Sequence, residues 1–391
     1  MPTVQSGART GADLLNDAVV IDMMRRVAQL EPESQPLTGL LNIQEKALST
    51  RNPDPQHMED ELLPNRDLVN GAQTAADTSI EVDNPLFYLV GDIIHVPRTG
   101  ENMRVTAAPG TSPITVARGV GSAPAAMVDD EPIWILGGAQ VEGDTSRTAL
   151  NTLEIQKQFH CQVVRNSIEA TEVQMATEQY GGDFDDQFDK KLIEHKRQLD
   201  HLFKWGTPSR TDTGSGYLRT MEGVNHWIQS NVMAVDGVLG EGEFDAACEM
   251  AGQYGSMTKI GLFSQRIVRA ISNFAKNRMV TVPLDGNYGL QILEYNAPSG
   301  LTVWIVPDRE LRGATYSGHG FFLDPEYLII RYLLAGADSG ATEKYQGSQY
   351  CRRVTNIQAN DRAGRKDEVY SCLALQMVHE RTAAKITGVE G

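Results

Sequence analysis

An α+β fold, with helices and antiparallel strands kept in separate stretches of chain, is predicted by three observations. Short apolar runs bounded by glycine or proline fill residues 85–140. One strongly amphipathic helix spans residues 184–205. After it, helical patterns and hairpins alternate without the strand–helix–strand rhythm of a doubly wound sheet.

Residues 1–45 open with Gly, Ser and Thr and then take a helical period through Leu14, Ala18, Ile21, Val27 and Leu30, ended by Pro32 and Pro36. The first 90 residues hold 14 Asp/Glu against 6 Lys/Arg, which reads as a solvated, extended arm. From Ser49 to Asn84 the chain is polar, carries Pro53, Pro55 and Pro64, and shows little periodicity. A loop this long is unusual inside a compact monomer, so the segment is expected to be ordered by neighbouring subunits.

Between 85 and 140 the runs Phe87–Val90, Ile93–Val96, Met103–Thr106, Ile114–Ala117 and Ile133–Leu136 predict a small β-barrel or sandwich inserted into the chain. A strand is expected at Cys161–Val164 and a short helix at Asn166–Tyr180, stopped by Gly181-Gly182. In the long helix, Phe184, Phe188, Leu192, His195, Leu199, Leu202 and Phe203 make one stripe. Asp183, Asp185, Asp186 and Asp189 crowd its start and Lys204 lies near its end, matching the helix dipole. Residues 207–223 read as a loop. Helices follow at Phe244–Met250 and after Ser264, which is placed to cap a face of Ile267, Ile271 and Phe274. Gln291–Tyr295 and Leu301–Val306 form a hairpin, Tyr327–Leu334 is a strand or short helix, and Val369–Val378 is a final apolar run.

The formal net charge of −16 is too acidic for a chain that grips nucleic acid mainly through phosphates. Cys161, Cys248, Cys351 and Cys372 lie far apart without a C-x-x-C pair, which predicts neither a disulfide framework nor a zinc site. No secretory-type apolar stretch opens the sequence and no run of about 18 apolar residues occurs, so synthesis in a cytoplasm and no membrane span are expected.

Candidate chemistry is sparse. Asp183, Asp185, Gln187, Asp189 and Glu194 imitate a calcium loop, but Phe188 stands where an EF-hand needs glycine. His160 and Cys161 are neighbours that a strand points to opposite faces, which argues against a nucleophilic pair. His195 and His201 are six apart on the helix, the wrong spacing for two ligands on one face, and His195 is expected to be packed. The glycines at 214–216 and 237–240 lack a phosphate-loop context. Arg352, Arg353, Arg362, Arg365 and Lys366, interrupted by Asp361 and Asp367, read as a solvated face, with contact to a neighbour's acidic patch or to packaged DNA as the sharper readings. No catalytic residue, cofactor or metal is assigned.

Residues 153–228 resemble the shared block of the major capsid proteins of tailed double-stranded DNA bacteriophages. The resemblance rests on Thr152-Leu153-Glu154-Ile155, the turn Tyr180-Gly181-Gly182-Asp183, the helix segment Leu192-Ile193-Glu194-His195-Lys196-Arg197, its end Phe203-Lys204-Trp205-Gly206, and Arg219-Thr220-Met221-Glu222-Gly223. Val90–Ile94, Met103–Val105 and Val116–Gly119 resemble an inserted β-module of such proteins, and Val303–Leu311 and Phe322–Pro325 their later domain.

The resemblance implies the tailed-phage capsid fold. It implies an N-terminal arm at 1–45, an extended-loop region at 46–165 with the β-module at 85–140, and a peripheral domain at 166–215 around a spine helix at 184–205. An axial domain at 216–355 and a return to the peripheral domain at 356–391 complete it. It also implies a structural protein, not an enzyme, that assembles as pentamers and hexamers into an icosahedral shell. Implied partners are further copies of itself, a portal protein, a scaffold or maturation protease, a decoration protein, and packaged double-stranded DNA without sequence-specific contact. Gly181 and Gly182 are the expected hinge of shell expansion; Arg352, Arg353, Arg365 and Lys366 are the expected inter-subunit contacts. The alternatives are a nanocompartment shell of the same fold, a decoration or tail protein, and an enzyme with scattered catalytic residues.

Overall fold

The computed structural model describes residues 36–43, 47–108, 110–140, 142–143, 145–177, 183–274, 279–281, 293–335 and 347–390. The helix expected at Leu14–Leu30 and the Gly181-Gly182 hinge lie outside the described residues. The chain divides into two units, residues 58–157 and the remainder on either side of them.

The larger unit holds two sheets. The first, the body sheet, runs Ala47–Thr50, Leu328–Ala335, Gly364–Met377, Gln162–Thr171 in spatial order. Its first pair is parallel and the others antiparallel. Strand alternation sends Leu373, Leu375 and Met377 to one face and Cys372 and Ala374 to the other. The first face packs with Leu37, Leu41, Leu199 and Phe203, so it is covered by helices Pro36–Ile43 and Phe184–Trp205. The second face holds a smaller cluster of Phe159, Cys161, Cys372 and Ala374, backed by Trp227. The segment from Ser49 therefore begins with internal support, because its first strand pairs with Leu328–Ala335.

The helix expected over Asn166–Tyr180 is corrected. Gln162–Thr171 is a ten-residue strand, and only Glu172–Ala176 is helical, capped by Thr171. All ten of its residues pair with strand Gly364–Met377, and burial alternates residue by residue along them. Pairing with the longest strand of the sheet overrides a weak helical pattern. Residues 207–223 are likewise not all loop: Ser209–Asp212 and Tyr217–Thr220 form a hairpin.

The second sheet has seven strands, ordered Val232–Gly237, Ala384–Val389, Gly320–Leu323, Thr258–Ser264, Thr302–Asp308, Leu293–Asn296, Met279–Thr281. It is mixed, because Thr258–Ser264 runs parallel to Thr302–Asp308 and Val232–Gly237 parallel to Ala384–Val389. Leu293–Asn296 and Thr302–Asp308 pair as the hairpin read from sequence. Helices Glu241–Gly252 and Gln265–Phe274 supply Phe244, Cys248, Ile267 and Ile271 to a core with Phe263, Tyr295 and Phe322. The Ser264 hydroxyl accepts from the Ile267 N–H at 3.3 Å, the N-terminal cap expected there. The sheets divide the end of the chain differently from the sequence: Gly364–Met377 joins the body sheet, whereas Ala384–Val389 enters the seven-stranded one.

The smaller unit is built on a six-stranded sheet ordered Arg66–Leu68, Pro132–Gly138, Asp92–Val96, Glu101–Ala107, Ile114–Ala117, Ser79–Ile80. The bridge Val69↔Val82 joins the chain just beyond its first and last strands, so the sheet closes on itself. Val69, Ile80, Ile94, Val96, Met103, Val105, Ile114 and Ile133 fill the interior. Pro85–Phe87 is a short 3-10 turn rather than the start of a strand. Inside this unit Arg118 pairs bidentately with Glu101, at 2.7 and 2.8 Å, and also donates to the carbonyls of Thr74 and Asp77. That one guanidinium ties two loops to a strand. Burial pushes the Glu101 carboxyl up, but Arg118 and the N–H groups of Ala125 and Gly119 hold it below the usual carboxylate range.

Candidate assembly surface

The spine helix Phe184–Trp205 is fixed by what its buried face touches. Phe188, His195, Leu199, Asp200, Phe203 and Lys204 are buried along it. Asp183 stands at its N-cap, with Asp185 and Asp186 in the first turn and Lys204 in the last. Asn166 donates to His195 Nδ1 at 3.0 Å, and His195 Nε2 lies 2.7 Å from the Ser371 hydroxyl. The first contact makes Nδ1 an acceptor, so Nε2 carries the proton. Burial lowers the His195 pKa to about 4.

Near the end of the helix, Lys204 pairs with both Asp200 and Asp308, and all three side chains are buried. Burial alone would push the Lys204 ammonium down, yet the two carboxylates hold it above its ordinary value. Burial drives Asp308 up despite that partner. Asp200 also accepts from the Thr38 N–H and hydroxyl, at 3.0 and 3.2 Å. Three chain segments, Pro36–Ile43, the spine helix and the end of Thr302–Asp308, thus meet at one buried ionic knot. The sequence reading placed Lys204 only as a dipole partner and did not single out Asp200 or Asp308. The available signal was spacing: Asp200 and Lys204 are four apart, and they adjoin Leu199 and Phe203 of the stripe.

The helix exit is a close crossing of two glycines. Gly206 accepts from the Gly223 N–H at 2.9 Å, and a Cβ on Gly223 would lie 2.5 Å from Gly206 N and 2.8 Å from the Lys204 carbonyl. No side chain fits there, which explains a glycine at both positions. A cleft of about 520 Å3 lies beside this crossing, walled by Leu202, Trp205 and Tyr316 and floored by Glu310. Arg197 and His201 both contact that carboxylate, at 2.7 and 3.1 Å.

The arginines expected to reach neighbours have partners within the chain. Arg353 lies 4.0 Å over the Phe188 ring and pairs with Asp185 at 2.8 Å and Asp367 at 3.0 Å. Arg365 lies 4.7 Å over Phe184 and pairs with Asp367 at 2.7 Å. The two guanidiniums clamp the first turns of the spine helix to strand Gly364–Met377. Lys366 lies 3.8 Å from Glu169, which also takes Arg362 at 2.6 Å. Arg352 sits across from Tyr370 on the short strand Arg352–Val354. Burial pushes Asp367 up, but Arg365, Arg353 and the Asn356 N–H hold it below the carboxylate range.

A second clamp, not anticipated from sequence, centres on Asp54. Arg219 meets it at 2.7 and 3.2 Å, Arg210 at 3.7 Å and His160 Nδ1 at 2.9 Å. The flanking carbonyls of Pro55 and Pro53 accept from Phe159 and Cys161. Asp54 thus pins the point at which the chain departs toward residue 58. Arg210 and Arg219 also lie 4.4 and 5.1 Å from the Tyr217 ring centre.

The sequence model of the SU10 major capsid protein family matches residues 4–390. The chain belongs to that family. Two solved structures agree on the fold. The capsid of a native gene-transfer-agent (GTA) particle is 7% identical over 96% of this chain and 97% of its own, with a TM-score of 0.51. The capsid of cyanophage A-1(L) is 9% identical over 96% and 98%, also at 0.51. An encapsulin from Synechococcus elongatus is 10% identical over 61% of this chain and 78% of its own, at 0.44. A search of curated proteins finds no match.

Membership makes this chain a major capsid protein with the tailed-phage capsid fold, a structural component that associates with copies of itself in the shell of a virion. In this setting the two clamps and the ionic knot are supports. They fix the spine helix and the departing chain on one sheet, so that the outward surfaces hold a defined geometry.

Proposed function

We propose that the chain assembles as pentamers and hexamers into a closed icosahedral shell around double-stranded DNA, and that it does so without catalysis. The observation that most supports association beyond a monomer is the ribbon Gln56–Glu59 with Ile155–Gln158 and its flanks. There Met58, Leu62, Leu153 and Ile155 are 59–93% exposed, and nothing among the described residues covers them. Burying such side chains against a neighbour contributes roughly 1.5–3 kcal/mol each before ordering costs, and a closed shell repeats the gain at every copy.

On this reading residues 46–165 reach across a neighbour, 216–355 face the shell axis, and 1–45 form the arm. Gly181 and Gly182 hinge the spine helix during expansion. Arg352, Arg353, Arg365 and Lys366 reach a neighbour once Asp185, Asp367 and Glu169 release those they hold. A portal protein, a scaffold or maturation protease and a decoration protein complete the particle, which is built in the host cytoplasm. Electron microscopy with light scattering, on the full chain alone and co-expressed with a scaffold, tests the proposal. Closed shells or rings of five and six support it. Monomers under both conditions sink it, and shells filled with protein instead of DNA point to a nanocompartment.

A further inference from the structure

Two of the four cysteines are placed as a pair. Register sets Cys372 opposite Val163, so Cys161, two residues before Val163 and just ahead of strand Gln162–Thr171, lies on the same face and on the cross-strand diagonal. Both are buried, at 2% and 3% exposure, in one cluster with Phe159 and Ala374 on the face away from the spine helix. Their side chains interact electrostatically within that cluster. Their backbones are held by separate bonds, Cys161 N–H to the Pro53 carbonyl at 2.9 Å and Cys372 N–H to the Gln349 carbonyl at 2.8 Å. Cys351 is excluded, because its sulfur lies 3.8 Å from Ser371 Oγ, and Ser371 points to the opposite face. Cys248 sits in the core of the other sheet.

We propose that Cys161 and Cys372 are a redox-responsive pair that closes to an intrachain disulfide when the protein meets a small disulfide oxidant. Cys372, as thiolate, attacks one sulfur of the oxidant and expels a thiol. Cys161 then gives up its proton, attacks the Cys372 sulfur and expels the second thiol. Two protein thiols are oxidised and one external disulfide is reduced to two thiols. The order of attack follows the surroundings: the Cys161 side chain and the Arg219 guanidinium hold the Cys372 thiol below its ordinary range, against the pull of burial. The neighbouring Cys372 side chain and burial push Cys161 up, which suits it to be the resolving thiol. The bond would staple the strand returning from the ribbon to the longest strand of the sheet.

The test is to incubate the full chain with oxidised glutathione below its melting temperature, count free thiols in denaturant, and map peptides without reduction. Four thiols should fall to two, with one linked peptide containing Cys161 and Cys372. The thermal midpoint should rise and return on reduction. Cys248→Ser should keep the linked peptide, whereas Cys161→Ser should lose it. Four thiols surviving conditions that oxidise an exposed control thiol would overturn the proposal. So would a link through Cys351 or Cys248, or one formed only between chains. The wild-type map decides even if a variant fails to fold.

Discussion

His195 is held neutral by its neighbours, and this gives the protein an acid sensitivity with a defined sign. Protonating Nδ1 would set a second donor against the Asn166 amide that already donates to it. The folded-state pKa is depressed from 6.5 to about 4, so the unfolded chain binds the proton more tightly. Stability is therefore complete above the unfolded value and is lost as pH falls from 6.5 toward 4. The loss from this residue is about 3 kcal/mol by linkage. Chemical denaturation between pH 7 and 4 should show it, and His195→Gln should flatten that part of the profile. A pH slope unchanged by the substitution would refute the assignment. The sequence placed His195 in the packed stripe, but its partners were not legible. Asn166 and Ser371 are 29 and 176 residues away and are brought in only by the sheet. Asp54 was hidden for the same reason, since its partners His160 and Arg219 are 106 and 165 residues distant.

The spine helix was readable because a 22-residue amphipathic stripe with matched ends leaves one interpretation. Only the start of strand Gln162–Thr171 was read as a strand; its continuation past Val164 was not, since Ile168 follows Val164 by four, a pattern that serves a helix until a pairing partner is known. The joint at the end of the spine helix carries its own prediction. Gly223→Ala adds a methyl group where backbone atoms stand 2.5–2.8 Å away, and backbone cannot yield as a flexible side chain does. The cost expected is about 1–3 kcal/mol, read as a lowered denaturation midpoint of the dissociated subunit. Gly240→Ala is the control, because its nearest neighbour would be the Glu243 side chain at 3.7 Å. Equal midpoints for the two variants would show that the crossing is looser than described.

Residues 58–157 contain a closed sheet, a twelve-residue buried core and two internal arginine–glutamate pairs. A hundred-residue fragment with its own core is expected to fold alone. Circular dichroism and amide proton dispersion of the 58–157 fragment should show cooperative unfolding, and a spectrum of random coil would show that it depends on the rest. Most strands of this unit were legible because glycine and proline punctuate them. Arg66–Leu68 and Ser79–Ile80 were not, being too short and polar to announce themselves.

In the larger unit, Ala384–Val389 lies between Val232–Gly237 and Gly320–Leu323 and contributes Ile386 and Val389 to the core. The seven-stranded sheet thus stays divided until Ala384–Val389 has left the ribosome, so Val232–Gly237 is made long before the strand it pairs with. A chain released before Ala384 lacks the strand that joins Val232–Gly237 to the other five. Such a chain leaves facing edges of Val232–Gly237 and Gly320–Leu323 unpaired and the core positions of Ile386 and Val389 unfilled.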